Sequence, residues 1–181
     1  MSLILTTCDV EKLNNMLTKS KAQTQKMAAK LAKTLVNECS SVPHGGIRAK
    51  KIISEGIHKN ARVLALIGDL GSGKTAFTQG FIKSLGIKTH VPSPTFVIFR
   101  RYPIHKEAGG FKNVFHFDLY RIQKPKEMID LDFKKIIKDP ENIVLIEWPE
   151  QILKFLPKNT IIVKLDHGKR ANERIVKIAK Y

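Results

Sequence analysis

One segment of the chain, GDLGSGKT beginning at Gly68, places glycines, a lysine and a threonine at the spacing G-x-x-x-x-G-K-[ST]. Gly68, Gly71 and Gly73 allow a tight backbone turn whose N–H groups point inward at a phosphate. Lys74 supplies a cation suited to the β- and γ-phosphates of a nucleotide, and Thr75 supplies a hydroxyl suited to Mg²⁺. The segment therefore predicts a nucleotide phosphate site that uses Mg²⁺.

Two carboxylates stand at the ends of apolar runs, where a second ligand for such a metal is expected. Glu147 ends the run NIVLIE and is the preferred candidate, while Asp118 ends NVFHFD and is its rival. In a parallel sheet both residues would lie near the C-terminal ends of strands, beside the glycine loop. Either acid could contact the metal or orient water, and the sequence leaves that choice open.

Other polar and aromatic residues near these acids give weaker signals. Thr95, in the turn-like segment PSPT, could present a hydroxyl to the γ-phosphate or the metal. His116 alternates with Asp118 and Tyr120, which predicts one shared strand face, although a lone histidine is more often packed in a core. Trp148 is the single tryptophan and directly follows the NIVLIE run, where core packing is an equally good interpretation.

Elements with regular hydrophobic patterns flank the glycine loop. The run ARVLALI before it suits a buried parallel strand. The segment KTAFTQGFIKSL after it has apolar residues at helical spacing, with Gly86 as a C-terminal cap. An earlier amphipathic helix is predicted over residues 24–39. Strand, loop and helix in this order are the context that a phosphate-binding loop needs.

The later part of the chain continues the alternation of strands and helices. The runs TFVIF, NVFHF, NIVLIEW and TIIVKL suit strands, and helices are predicted to follow Pro125 and Pro149. This pattern predicts an α/β fold of the P-loop NTPase type, with a largely parallel central sheet flanked by helices. We expect residues 1–181 to form one domain with an insertion near residues 41–60.

Composition restricts the class of protein. The formal net charge is +16, but 25 of the 32 basic residues are lysines scattered over the whole chain, which is typical of solvated faces. The charge nevertheless favours contact with RNA or an acidic partner. The chain has no apolar run long enough to span a membrane, and its two cysteines have no metal-ligand spacing, so we expect a cytoplasmic protein with free thiols.

Four motifs in register, GDLGSGKT, PSPTF, HFDLYR and IEWPEQ, give the chain a specific resemblance to the bacterial TsaE (YjeE) family over residues 61–165. The family comprises ATPases required for threonylcarbamoyl modification of adenosine 37 in tRNA. The resemblance implies a P-loop ATPase that binds ATP and Mg²⁺ and works with TsaB and TsaD. It also implies that hydrolysis resets this complex between turnovers, with tRNA contacted indirectly or through weak basic contacts.

The resemblance also implies roles for individual residues. Asp118 is similar to the essential acid of the family, Thr95 to its switch threonine and Trp148 to a tryptophan implicated in activity. Thr75 and Glu147 would hold Mg²⁺. The residues expected to hold the nucleotide are Gly71, Ser72, Gly73, Lys74, Thr75, Thr24 and Trp148.

The N-terminal part departs from the family pattern, because the insertion separates the first helix from the strand before the loop. Thr24 is the expected adenine contact, with Thr18 as the alternative, and Arg174 would close the nucleotide site. Two other interpretations are a small-molecule P-loop kinase, which would need an acceptor pocket and an arginine-bearing lid, and a basic RNA-binding module. ATP is favoured over GTP because no N-K-x-D guanine motif is present.

Overall fold

The structure is a computed structural model. Its described strands form one sheet, and helices pack on both faces of that sheet. The residues that it describes are 15–40, 59–94, 97–105, 108–122, 124–128 and 131–180. The predicted insertion lies largely outside them, as does Thr95. No helix among the described residues is long and apolar enough to cross a lipid bilayer.

The described residues contain seven strands, three α-helices and two short 3₁₀ helices. The strands are β1 (Met16–Thr18), β2 (Arg62–Ile67), β3 (Phe99–Pro103), β4 (Asn113–Asp118), β5 (Asn142–Glu147), β6 (Ile161–His167) and β7 (Arg174–Lys180). The α-helices are α1 (Lys21–Ser40), α2 (Lys74–Ser84) and α3 (Phe133–Lys138). The 3₁₀ helices are Pro125–Met128 and Leu153–Phe155.

The sheet is mixed, with its parallel strands at the centre. Its strand order is β1-β7-β6-β2-β5-β4-β3. β2 pairs in parallel with both β5 and β6, and β4 pairs in parallel with β5. The outer strands β1, β7 and β3 are antiparallel to their neighbours. The predicted parallel sheet is therefore confirmed for the four central strands, whose C-terminal ends share one edge.

Two apolar layers explain why the central strands are continuous hydrophobic runs. On one face, α1 and α2 pack on the sheet through side chains such as Leu31, Phe77 and Leu145. On the other face, α3 packs through Phe133 against side chains such as Ile146. A strand that is covered on both faces buries every side chain, and all six residues of β5 are buried.

The regions around the loop match the sequence expectations closely. ARVLALI forms β2, and the segment after the glycines forms α2. Gly86 follows α2 with a φ of 82° and donates its N–H to the Lys83 carbonyl, as expected for a C-terminal cap. The helix predicted over residues 24–39 is α1, Lys21–Ser40.

Three predicted elements form only in part among the described residues. Of the predicted strand TFVIF, residues 97–99 are described: Val97 and Ile98 lie in a turn and a bend, Ile98 has a φ of 64°, and β3 begins only at Phe99. The helix that begins at Pro125 is a 3₁₀ helix over its four described residues, of which only Met128 is buried. A turn and the second 3₁₀ helix follow Pro149.

Two strands had no counterpart among the sequence expectations. β1 has three residues, which is too short for a periodic pattern. β7 alternates in burial, with Val176 and Ile178 inside, and this signal was available in the sequence RIVKIAK. Both strands extend the sheet beyond β6 and bring Arg174 beside the glycine loop.

Candidate functional site

The glycine loop connects β2 to α2 at the C-terminal edge of the parallel strands. Gly68, Gly71 and Gly73 have φ values of 149°, 76° and 102°, which other residues rarely adopt. A Cβ at Gly68 would also collide with the carbonyl oxygen of Leu165 in β6. Gly73 is the N-cap of α2 and provides no side-chain hydrogen bond, so the first N–H groups of the helix are left to an external acceptor.

Lys74 is a buried cation at the centre of this loop. Its Nζ donates hydrogen bonds to the carbonyl oxygens of Gly68 at 2.6 Å and Asp69 at 2.8 Å. The same ammonium lies 3.7 Å from the ring centroid of Trp148. Burial lowers the pKa of Lys74 below its ordinary value, while the nearby carboxylates, Glu147 foremost, oppose that shift. The loop thus holds a desolvated positive charge beside its N–H groups.

Glu147 ends β5 and is 2% exposed. Its Oε2 accepts a hydrogen bond of 2.9 Å from the Thr75 hydroxyl on the first turn of α2. Its Oε1 lies 2.8 Å from Nε2 of His116, which is completely buried in β4. Both carboxylate oxygens therefore have a side-chain partner, and the hydroxyl and carboxylate expected to bind a metal are in contact.

Asp118 lies beside Glu147, because the two residues are paired in register across β4 and β5. Its Oδ2 accepts a 2.7 Å hydrogen bond from the Ser93 hydroxyl, and its Oδ1 accepts a 3.1 Å bond from the backbone N–H of Tyr120. Asp118 is 6% exposed. The two acids that the sequence left as rivals are therefore neighbours with different donors.

Ser93 was not singled out from the sequence, although it stands in the segment PSPT. The prediction there concerned Thr95, which lies outside the described residues and stays a prediction. The signal that could have identified Ser93 is a small hydroxyl held between two prolines, where the backbone has little freedom. Its contact with Asp118 spans 25 positions, so only the fold reveals it.

Trp148 occupies an unusual backbone position immediately after β5. Its φ is 59°, a value that bulky side chains rarely adopt. Its ring contacts that of Tyr120, with 5.1 Å between centroids, as well as the ammonium of Lys74. Tyr120 is exposed and lies beyond the end of β4, so the expectation that it shares a strand face with His116 is wrong. Trp148 and Tyr120 form a wall of the site.

These side chains surround a cavity of about 360 Å³. The predicted residues that line it are Gly71, Gly73, Lys74, Thr75, Asp118, Glu147 and Trp148. Ser72 is completely buried, and its hydroxyl has no hydrogen-bond partner among the described residues. Most of the predicted site is therefore assembled in one place.

Thr24 does not line this cavity. Its hydroxyl shares a 2.8 Å hydrogen bond with that of Thr18, and both side chains are buried. Thr18 is paired with Arg174 across β1 and β7, and the Arg174 guanidinium donates a 2.9 Å hydrogen bond to the Gly71 carbonyl. The two candidate adenine contacts are thus joined to the glycine loop through Arg174, and the adenine role of Thr24 stays a prediction.

The donor set fits a metal-bound polyphosphate. A threonine hydroxyl and carboxylates are hard oxygen donors, which Mg²⁺ prefers. Backbone N–H groups at a helix start and a buried lysine suit the anionic oxygens of phosphate. Among the described residues, no three His, Cys, Asp or Glu side chains form a self-contained metal cluster. Thr75 and Glu147, with Asp118 adjacent, are therefore the residues that could hold Mg²⁺ together with phosphate oxygens.

Comparison with known proteins gives one consistent family. Residues 18–176 match the family described as "Threonylcarbamoyl adenosine biosynthesis protein TsaE". The chain is 37% identical over 109 residues to the tRNA threonylcarbamoyladenosine biosynthesis protein TsaE of Haemophilus influenzae, an alignment that covers 60% of this chain. It spans just under two thirds of that relative's length, 65%.

Two further comparisons agree. The protein with the same description from Rickettsia prowazekii is 38% identical over 124 residues, covering 66% of this chain and 81% of that relative. The crystal structure of Bacillus subtilis YdiB superposes with a TM-score of 0.57 at 25% sequence identity, covering 92% of this chain and 85% of that one.

Proposed function

The chain belongs to the TsaE family of threonylcarbamoyl adenosine biosynthesis proteins, and from this premise we propose that it is a Mg²⁺-dependent P-loop ATP hydrolase. Its biological role in this proposal is the threonylcarbamoyl modification of tRNA adenosine 37. It acts there with a TsaB–TsaD-like complex in the cytoplasm.

The observation that carries the ATPase proposal is the meeting of three groups at one cavity. The glycine loop ends in a buried lysine, Lys74. The next residue, Thr75, contacts Glu147 at the end of β5. This combination of an anion cradle, a cation and hard oxygen donors is what a P-loop NTPase needs. The four parallel central strands place all of it at their C-terminal edge, where α/β sheets bind ligands.

Each side chain has a role in the proposal. The loop N–H groups and Lys74 bind the phosphates, and Thr75 and Glu147 hold Mg²⁺. When bound, the metal would neutralise charge on the β- and γ-phosphates. Asp118, fixed by Ser93, faces the same cavity and orients the attacking water. The aromatic wall of Trp148 and Tyr120 limits access of bulk water to the reacting groups.

Contact with tRNA is assigned to the partner complex rather than to this chain alone. Exposed lysines lie on several separate elements of the described surface, and three of them, Lys26, Lys30 and Lys33, line one groove beside α1. A diffuse positive charge supports weak, salt-sensitive contact with phosphate backbones. The proposal therefore gives this chain a motor role, and it leaves the group transfer to the complex.

The test is reconstitution of the modification. Purified TsaB–TsaD complex, tRNA, ATP and a threonylcarbamoyl donor would be incubated with the wild-type chain or with Lys74→Ala, and modified adenosine would be counted by mass spectrometry. We expect repeated turnover with the wild-type chain and little beyond the background with the variant. Equal yields with and without the chain would refute the proposed role.

A further inference from the structure

We propose that His116 is a positioning residue that fixes the orientation of the Glu147 carboxylate towards the metal. The inference rests on the proposed function, since it concerns the side chain that would hold Mg²⁺. The sequence alone favoured a packed histidine at this position. The structure confirms that His116 is buried, and it also places this residue in a chain of three hydrogen-bonded side chains, His116, Glu147 and Thr75.

The sheet register brings His116 under the carboxylate. His116 in β4 is paired with Leu145 in β5, and Glu147 lies two residues further along the same strand. Residues two apart on a strand point to the same face. The imidazole and the carboxylate therefore meet on the face covered by α2, with 2.8 Å between Nε2 and Oε1.

Both members of this pair are removed from water. His116 is 0% exposed and Glu147 is 2% exposed. A buried carboxylate oxygen without a donor is costly, so the histidine contact is a strong constraint on the side-chain torsions of Glu147. The Thr75 hydroxyl constrains the second oxygen in the same way. With one donor on each oxygen, the carboxylate plane is held in a single orientation.

The bonding of the other ring nitrogen identifies which one donates. Nδ1 of His116 is buried and has no hydrogen-bond partner among the described residues. An N–H at that position would be left without an acceptor, whereas a lone pair costs less. Nε2 is therefore the donor in the contact with the Glu147 carboxylate, whose oxygen can only accept. Side chains behind a metal ligand typically act in this way, and their loss weakens metal binding.

This role differs from simple core filling in one measurable respect. When the metal ligand loses its orienting donor, metal affinity falls while the phosphate contacts of Lys74 and the loop N–H groups remain. The affinity for nucleotide in the presence of EDTA should therefore not change. A side chain that merely fills space would alter stability and both affinities together.

The experiment compares three variants of the full chain with the wild type. His116→Leu removes the donor and puts an apolar side chain of similar bulk in its place. His116→Gln places an amide N–H near the position of Nε2, and His116→Asn carries the same amide on a shorter side chain. Mn²⁺ serves as the metal probe, and its bound fraction is measured by electron paramagnetic resonance with a non-hydrolysable ATP analogue.

We expect His116→Leu to raise the dissociation constant of Mn²⁺ by about 10-fold or more. His116→Gln should recover most of this loss and His116→Asn should not. Binding of a fluorescent ATP analogue in EDTA should be the same for all four proteins. If His116→Leu does not fold, the contrast between the Gln and Asn variants still tests the position of the donor.

Two results would overturn the inference. If His116→Leu bound Mn²⁺ as tightly as the wild type, the Nε2 donor would not orient Glu147. If His116→Leu does not fold, equal Mn²⁺ affinities in the Gln and Asn variants would show the same. Failure of the wild-type chain to bind nucleotide and Mn²⁺ would instead refute the proposed function, and this inference with it. The wild-type titration therefore separates the two failures.

Discussion

Lys74 is held by the fold against the carbonyl groups of its own loop. Its ammonium donates to two backbone oxygens and lies over the Trp148 ring. These contacts keep a long, flexible side chain in one place, which lowers the entropy that phosphate binding must remove. Lys74 is therefore preorganised for an anion, although its charge is largely desolvated.

Replacing this lysine tests the phosphate site directly. Lys74→Ala should weaken ATP binding by about 10-fold or more, because a hydrogen bond to a charged group contributes roughly 1.5–3 kcal/mol. The measurement is a titration with a fluorescent ATP analogue. Lys83→Ala, an exposed lysine at the last turn of the same helix, is the matched control. Unchanged affinity in Lys74→Ala would contradict the assignment of the glycine loop.

The lowered pKa of Lys74 also predicts a dependence of stability on pH. Between the folded pKa and the ordinary value of 10.5, the unfolded chain binds more protons at this position than the folded chain does. The contribution of Lys74 to the free energy of unfolding therefore rises as pH increases through that window. Urea unfolding of the wild type and Lys74→Met should show the difference between them shifting in favour of the wild type as pH is raised towards 10.5. A constant or opposite difference would contradict the shift.

The roles of Glu147 and Asp118 can be distinguished by replacing each carboxylate with the corresponding amide. Glu147→Gln should weaken Mg²⁺-dependent ATP turnover by roughly 10-fold or more, with little effect on nucleotide binding in EDTA, because the amide has no negative charge and one oxygen fewer for the metal. Asp118→Asn is the paired variant, and it should lower turnover at saturating Mg²⁺ without changing the Mg²⁺ concentration for half-maximal rate. Wild-type turnover in Glu147→Gln would move the metal role to Asp118.

Helices α1 and α2 approach each other closely because a glycine lies at their crossing. A Cβ at Gly80 in α2 would overlap the backbone of Gln25 in α1, including its carbonyl oxygen. This backbone contact therefore fixes the position of Thr24 in α1 relative to Lys74 in α2. Movement of α2 would also move Thr75 away from Glu147.

Gly80→Ala measures that contact. Alanine has the higher helix propensity, by about 1 kcal/mol. The clash is with backbone atoms, which cannot move aside, so we expect a net loss of about 1–3 kcal/mol in the free energy of unfolding. Urea unfolding gives the value, and Lys83→Ala reports the effect of alanine at an uncrowded position of the same helix. A stability gain in Gly80→Ala would mean that the helices are not so close.

The sequence predicted elements best where one local pattern determined them. β2, β5 and α2 have uninterrupted apolar runs or clear helical spacing, and each forms as expected. TFVIF has the composition of a strand, but the chain turns at Ile98, so pairing with β4 begins one residue later. The antiparallel edge strand β1 depends on its partner β7 rather than on its own three residues.

The site residues also divide into those that a local pattern predicts and those that it does not. Lys74, Thr75, Glu147 and Asp118 follow from motif and strand ends, and all four line the cavity. The partners that fix the acids are not local: Ser93 is 25 positions from Asp118, and His116 is 31 positions from Glu147. The His116–Glu147 pair depends on strand register and the Ser93–Asp118 pair on the path of an irregular segment, and a single sequence specifies neither.

At the scale of the whole molecule, the described residues that line the site include one cation, from the glycine loop, and no arginine. Lys74 is the only basic side chain among the described residues that line the cavity. Arg174 is close, but its guanidinium is bound to carbonyl oxygens, including that of Gly71. P-loop NTPases that lack an arginine at the γ-phosphate hydrolyse slowly until a partner supplies the missing charge.

We therefore expect slow ATP hydrolysis by this chain alone and faster hydrolysis with the proposed partner complex. An arginine supplied in trans raises turnover by roughly 10³–10⁵-fold in other P-loop enzymes, so stimulation of at least about 10-fold is a conservative threshold. Phosphate release would be measured with the chain alone, with the TsaB–TsaD complex, and with complex plus tRNA. Lys74→Ala with the complex controls for hydrolysis by the partners themselves. Equal rates with and without the complex would contradict partner stimulation and would place the complete catalytic machinery within this chain.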